Sequence, residues 1–169
     1  MARILTDIDI ATLLGEPKQL PNNWVTRLRT IPKSNMAFTQ RDFSLTTPTN
    51  HIFRLVLRES SRSPLDFSVI LVYQENGHDY ILRRNNGSHP SRHTNKWEKM
   101  YGMPDYQIEV GCHIHMATER YQLAGLDIEG YAQPTDRYQD FGSALQVLLT
   151  DCSFIIPANT ADQSRFPGM

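Results

Sequence analysis

Phe67-Ser68-Val69-Ile70-Leu71-Val72-Tyr73-Gln74 and His78-Asp79-Tyr80-Ile81-Leu82-Arg83-Arg84 flank Glu75-Asn76-Gly77. Two runs rich in β-branched and aromatic residues around an Asn-Gly pair predict a β-hairpin. Upstream, Phe38 to Thr46 and His51 to Glu59 share the same period of two, separated by Thr47-Pro48-Thr49-Asn50 and Ser60-Ser61-Arg62-Ser63-Pro64. In the second of these runs Phe53, Leu55 and Leu57 fall on one face, with Arg54, Val56 and Arg58 on the other. The pattern predicts an antiparallel meander with one apolar face and one partly polar face.

Beyond this meander the period lengthens. Ile114, Ala117, Tyr121 and Ala124 form one helical stripe ending at Gly125. Phe141, Leu145, Leu148 and Cys152 form a second, after a helix start at Pro134-Thr135-Asp136. The expected fold class is therefore α+β: a meander of about four to five strands packed against two C-terminal helices. Phe53, Leu55, Leu57, Val69, Leu71, Ile81, Ala117, Tyr121, Leu145 and Leu148 should form the core. Thr6 or Asp7 caps a short N-terminal helix carrying Ile10, Leu13 and Leu14. Residues 1–157 read as a single domain and 158–169 as a flexible tail, polar and aperiodic. A second short helix or irregular connection spans Pro21 to Pro32.

With 169 residues, 40% hydrophobic composition and a formal charge of −1, the chain has the composition of an ordinary globular domain. A polyanion would have to be met by a local patch. Cys112 and Cys152 lack the spacing of a zinc cluster or a disulfide framework. No apolar run has the length of a membrane span and no signal peptide opens the chain, so a cytoplasmic location is expected.

Chemistry concentrates between Tyr80 and His115. Arg83-Arg84-Asn85-Asn86-Gly87-Ser88 runs into His89, Arg92, His93 and Lys96, and His113-Ile114-His115 follows. On extended backbone, residues two apart point to one side, so both imidazoles of the triplet would project together while Ile114 enters the core. The helix is then expected to begin near His115 or Met116.

Metal-independent phosphodiester cleavage needs a base, an acid and cations on the phosphate. His113 or His115 suits the base and His89 or His93 the acid. Arg83, Arg84, Asn85, Arg92, Lys96 and Tyr121 are placed to bind substrate. If one site is formed, an imidazole of each cluster should lie within about 5 to 8 Å of one from the other. No cofactor is required. The alternative is zinc, held by three of these histidines with Glu109, Glu119 or Asp105. A P-loop, a GxSxG elbow and an HExxH motif are all missing from the sequence.

The run Leu82-Arg83-Arg84-Asn85-Asn86-Gly87-Ser88-His89, continued through Arg92-His93, resembles the Arg-aromatic-Asp-Asn and His-rich loop of TumE-type toxins from bacterial toxin-antitoxin loci. Arg84 and Asn85 stand where that pattern has an aromatic residue and an Asp. The segment from His113 to Tyr121, with Gly130-Tyr131-Ala132 and Pro134 to Tyr138, resembles a small uncharacterised bacterial family. The first resemblance implies an RNA-directed, toxin-like endoribonuclease with a cognate protein partner. The other expectation is a non-catalytic toxin-antitoxin or phage-defence partner that binds nucleic acid or protein.

Overall fold

The computed structural model describes residues 2–31 and 37–158. Most of the predicted tail, together with Pro32 and Lys33, lies outside the described residues. A capping box joins Thr6 and Asp9 and starts α1 (Asp7–Gly15), which buries Ile10 and Leu13. Short strands β1 (Lys18–Gln19) and β2 (Arg29–Ile31) follow. The meander is β3 (Phe38–Thr46), β4 (Ile52–Ser60), β5 (Phe67–Glu75) and β6 (His78–Asn86). Then come β7 (His93–Thr94), α2 (Lys96–Met100), β8 (Gln107–Ile108), β9 (His113–Met116), α3 (Glu119–Leu123) and β10 (Tyr131–Pro134). The described chain closes with α4 (Phe141–Asp151) and β11 (Phe154–Ile155).

The fold is α+β. Seven antiparallel strands in the order β10-β9-β6-β5-β4-β3-β2 form the main sheet, so the four predicted strands are its centre and three short ones extend it. Asn76 and Gly77 both take positive φ, as the tight β5–β6 turn requires. One face packs Phe53, Leu55, Leu57, Val69 and Leu71 against Leu145, Leu148 and Leu149 of α4. The N-terminal segment adds Leu5, Leu13, Leu20 and Trp24 to the same cluster. Leu148 is fully buried. Leu148→Ala is expected to cost about 2 to 5 kcal/mol through lost burial and the cavity left behind. Chemical denaturation of the two proteins reads this directly, and a loss under about 1 kcal/mol would mean that the α4 stripe does not hold the sheet.

Three expectations need correction. The helix predicted from about His115 begins only at Glu119, because His113 to Met116 is a strand between β6 and β10. The last helix starts at Phe141 under an Asp140 cap that accepts from Ser143 N, not at Pro134-Thr135-Asp136; Pro134 ends β10. Ile81 is only half-buried and lies outside the core cluster, whereas its neighbour Leu82 is fully buried. The hairpin register is the cause: Tyr80 pairs with Tyr73 of the core cluster, so Ile81 beside it takes the opposite face. A β-bulge follows. Val72 opposes Ile81 and Leu71 opposes Arg83, so Leu82 is an extra residue and the alternation resets beyond it.

Lys18 carries a structural feature with no counterpart in the sequence reading. It is fully buried, and its Nζ donates towards the carbonyls of Leu13, Leu14, Glu16 and Cys152 at 2.7 to 3.2 Å. One ammonium thus ties the end of α1 to the end of α4. Among the described residues no helix is long and apolar enough to cross a membrane.

Candidate functional site

After the bulge, strand register decides which side chains share a face. Arg84 opposes His115 and Asn86 opposes His113, whereas Arg83 opposes Met116 and Asn85 opposes Ile114. The face carrying Arg83 and Asn85 is the helix-covered one. Arg83 reaches Asp151 of α4 at 2.5 Å, and Asn85 donates to the carbonyl of Ala144 at 2.9 Å. Both were expected to bind substrate; both are instead committed to holding α4 on the sheet.

The other face carries Arg84, Asn86, His113 and His115, and the loop after β6 lays His89 and His93 against them. Ring centroids are 4.6 Å apart for His93 and His115, 5.0 Å for His113 and His115, 5.1 Å for His89 and His113, and 5.8 Å for His93 and His113. The two histidine clusters of the sequence therefore meet in space.

Each of three rings is oriented through one nitrogen. His113 Nδ1 lies 2.9 Å from Gly111 O, His115 Nδ1 lies 3.0 Å from Glu129 O, and His93 Nε2 lies 3.1 Å from Gly130 O. A carbonyl only accepts, so each of these nitrogens carries the proton and the other ring nitrogen of a neutral imidazole keeps its lone pair. On His113 that lone pair faces the Asn86 amide at 3.4 Å, and Asn86 Oδ1 accepts from Ser68 Oγ at 2.8 Å. Gly130 is sterically required: a Cβ there would come within 2.6 Å of the Tyr121 ring. Asn95 holds the loop to the sheet's edge by exchanging two hydrogen bonds with the backbone of Ala132.

Burial disfavours the charged form of these imidazoles. It pushes His115 down to about 2, with the nearby Arg84 charge acting in the same sense. His113 is lowered mainly by burial and also by its histidine neighbours, against the bond to Gly111. His93 is lowered by burial, partly offset by its bonds to Gly130 and Asn95. His89 makes no hydrogen bond among the described residues.

Arg84, Lys96, His93, His115, Tyr121 and Glu129 line a cavity of about 100 Å³. Arg84 faces Glu129 at 3.4 Å, a loose pair, and its Nε has no hydrogen-bond partner. Tyr121 is fully buried and gives its hydroxyl to Glu98 at 2.5 Å, so its ring walls the cavity but its O–H is spoken for. Arg92 stands away, exposed and paired with Glu109 at 3.0 Å.

The carboxylates considered for a zinc site do not join the histidines: Glu109 binds Arg92, Glu119 accepts from Asp7 N, and Asp105 lines a separate groove. Among the described residues no three His, Cys, Asp or Glu side chains are disposed to hold a metal ion. Comparison of the chain with protein-family models, curated proteins and solved structures gives no match.

Proposed function

We propose that the histidine face cleaves RNA as a toxin-like endoribonuclease that needs no metal. The observation that carries this reading is the assembly of four imidazoles, at centroid separations of 4.6 to 5.8 Å, beside the Arg84 and Lys96 cations. His115, lining the cavity with its Nε2 lone pair free, takes the proton of the 2′-hydroxyl as that oxygen attacks phosphorus. The negative charge of the bound phosphate offsets the Arg84 charge that opposes protonation before substrate binds. The bond to the 5′-oxygen breaks, and His89, whose ring nitrogens are both uncommitted, delivers a proton to the leaving oxygen. Arg84 and Lys96 offset the charge gathering on the phosphorane. The products are a 2′,3′-cyclic phosphate and a 5′-hydroxyl, so one proton is taken and one returned.

His113 orients the cluster through Asn86 and Gly111, and His93 closes its far side. The test is incubation of a single-stranded RNA with the protein in excess chelator, followed by end-group analysis. Cyclic phosphate and 5′-hydroxyl ends support the reading. Intact RNA in the presence of saturable, salt-sensitive binding would leave a non-catalytic nucleic-acid partner instead.

A further inference from the structure

A groove of about 880 Å³ lies next to the histidine cavity and plays no part in the chemistry above. Trp97, Arg120 and Tyr131 form one end, and Met103, Ile108 and Val110 contribute apolar wall. Trp97 has an aromatic and a cationic neighbour. Its ring lies 4.4 Å from that of Tyr101, and the Arg120 guanidinium sits 5.1 Å from its centre and 4.6 Å from that of Tyr131. Arg120 is anchored in turn by Glu98 at 2.5 Å.

The segment that supplies Met103 and Val110 to the groove, and Tyr101 beside its Trp97, is unusually apolar for a surface. Tyr101 is 65% exposed and Met100 64%, with Val110 at 52% and Met103 at 44%. These four come from one 11-residue stretch, Met100 to Val110, where a monomer normally scatters exposed apolar groups. Lys96 and Lys99 on α2 are exposed and enter no ion pair among the described residues. Aromatic rings interleaved with unpaired cations are the chemistry that holds unpaired nucleotides.

Position makes the argument specific. Lys96 lines the histidine cavity and Trp97, one residue on, lines the groove. Consecutive Cα atoms are about 3.8 Å apart, less than the length of one nucleotide. Gly130 and Tyr131 repeat the arrangement, the first lining the histidine cavity and the second the groove.

We infer that the end of this groove at Trp97 is a base-stacking subsite for an unpaired nucleotide of RNA, the exposed Tyr101 ring, backed by Trp97, receiving the base next to the phosphate held at Arg84 and Lys96. The inference rests on the proposed function for the identity of that phosphate, but its test does not depend on cleavage. A single-stranded 2′-O-methyl RNA, which cannot be cleaved through the blocked hydroxyl, is titrated while tryptophan fluorescence is followed. Trp24 is fully buried, so a change reports Trp97.

Saturable quenching is expected, weaker for the same sequence as a duplex, with affinity lowered about tenfold or more in Tyr101→Ala. Tyr101 is exposed, so this variant should keep the wild-type melting temperature. Equal affinity of wild type and Tyr101→Ala, equal affinity for duplex and single strand, or no fluorescence change overturns the subsite. Quenching without cleavage of natural RNA keeps the subsite and removes the nuclease. Cleavage with Tyr101→Ala indistinguishable from wild type does the reverse.

Discussion

His115→Ala is expected to cleave single-stranded RNA at least about a hundredfold more slowly than the wild type, the low end of what a positioned general base contributes. His115 is 3% exposed and its tautomer is set by Glu129 O, so its Nε2 is held in one orientation that alanine does not supply. Chelator should leave the wild-type rate unchanged. The pH profile carries a second signature. A base acts in its deprotonated form, and burial holds His115 down to about 2. Acidification from pH 7 to 6 should therefore not produce the decline in kcat/KM that an ordinary histidine base would cause. Activity lost in chelator, with stoichiometric zinc by elemental analysis, would move the histidines into ligand roles.

The same burial predicts acid sensitivity of the fold. Above the unfolded value of about 6.5 the His115 imidazole is neutral in both states and the folded protein keeps its full stability. Below it the unfolded chain binds a proton that the folded state refuses, so stability falls as pH falls. For His115 alone the slope is about 1.4 kcal/mol per pH unit, continuing towards its folded value of about 2. His113 and His93, also lowered by burial, steepen the decline. Urea unfolding at pH 7.5, 6.5, 5.5 and 5.0 measures it in a window above most carboxylate titration. His115→Gln should flatten the slope, and a wild-type stability that stays level from 6.5 to 5.0 would mean the cluster takes up protons while folded.

Local chemistry made much of this molecule legible from residues alone. The alternation from Phe38 to Arg84, the Asn76-Gly77 turn and the Leu145–Leu148 stripe are short-range signals, and each corresponds to a strand, a turn or a helix face. The extended His-Ile-His reading follows from the same period of two, and Ile114 does join the core while both imidazoles take the other face. Tertiary structure decided the rest. Parity carries side-chain direction along a strand only until a residue is inserted, and the bulge at Leu82 lets Tyr80 and Arg83, three residues apart, share the helix-covered face. It sent Arg83 and Asn85 to α4 and left Arg84 with the histidines. That β9 pairs with β6, so that His113 and His115 meet the loop of His89 and His93, is a contact between segments some thirty residues apart. The hydrogen bonds that select such a partner are the same for any two strands, and only the packing of the whole sheet distinguishes one register from another.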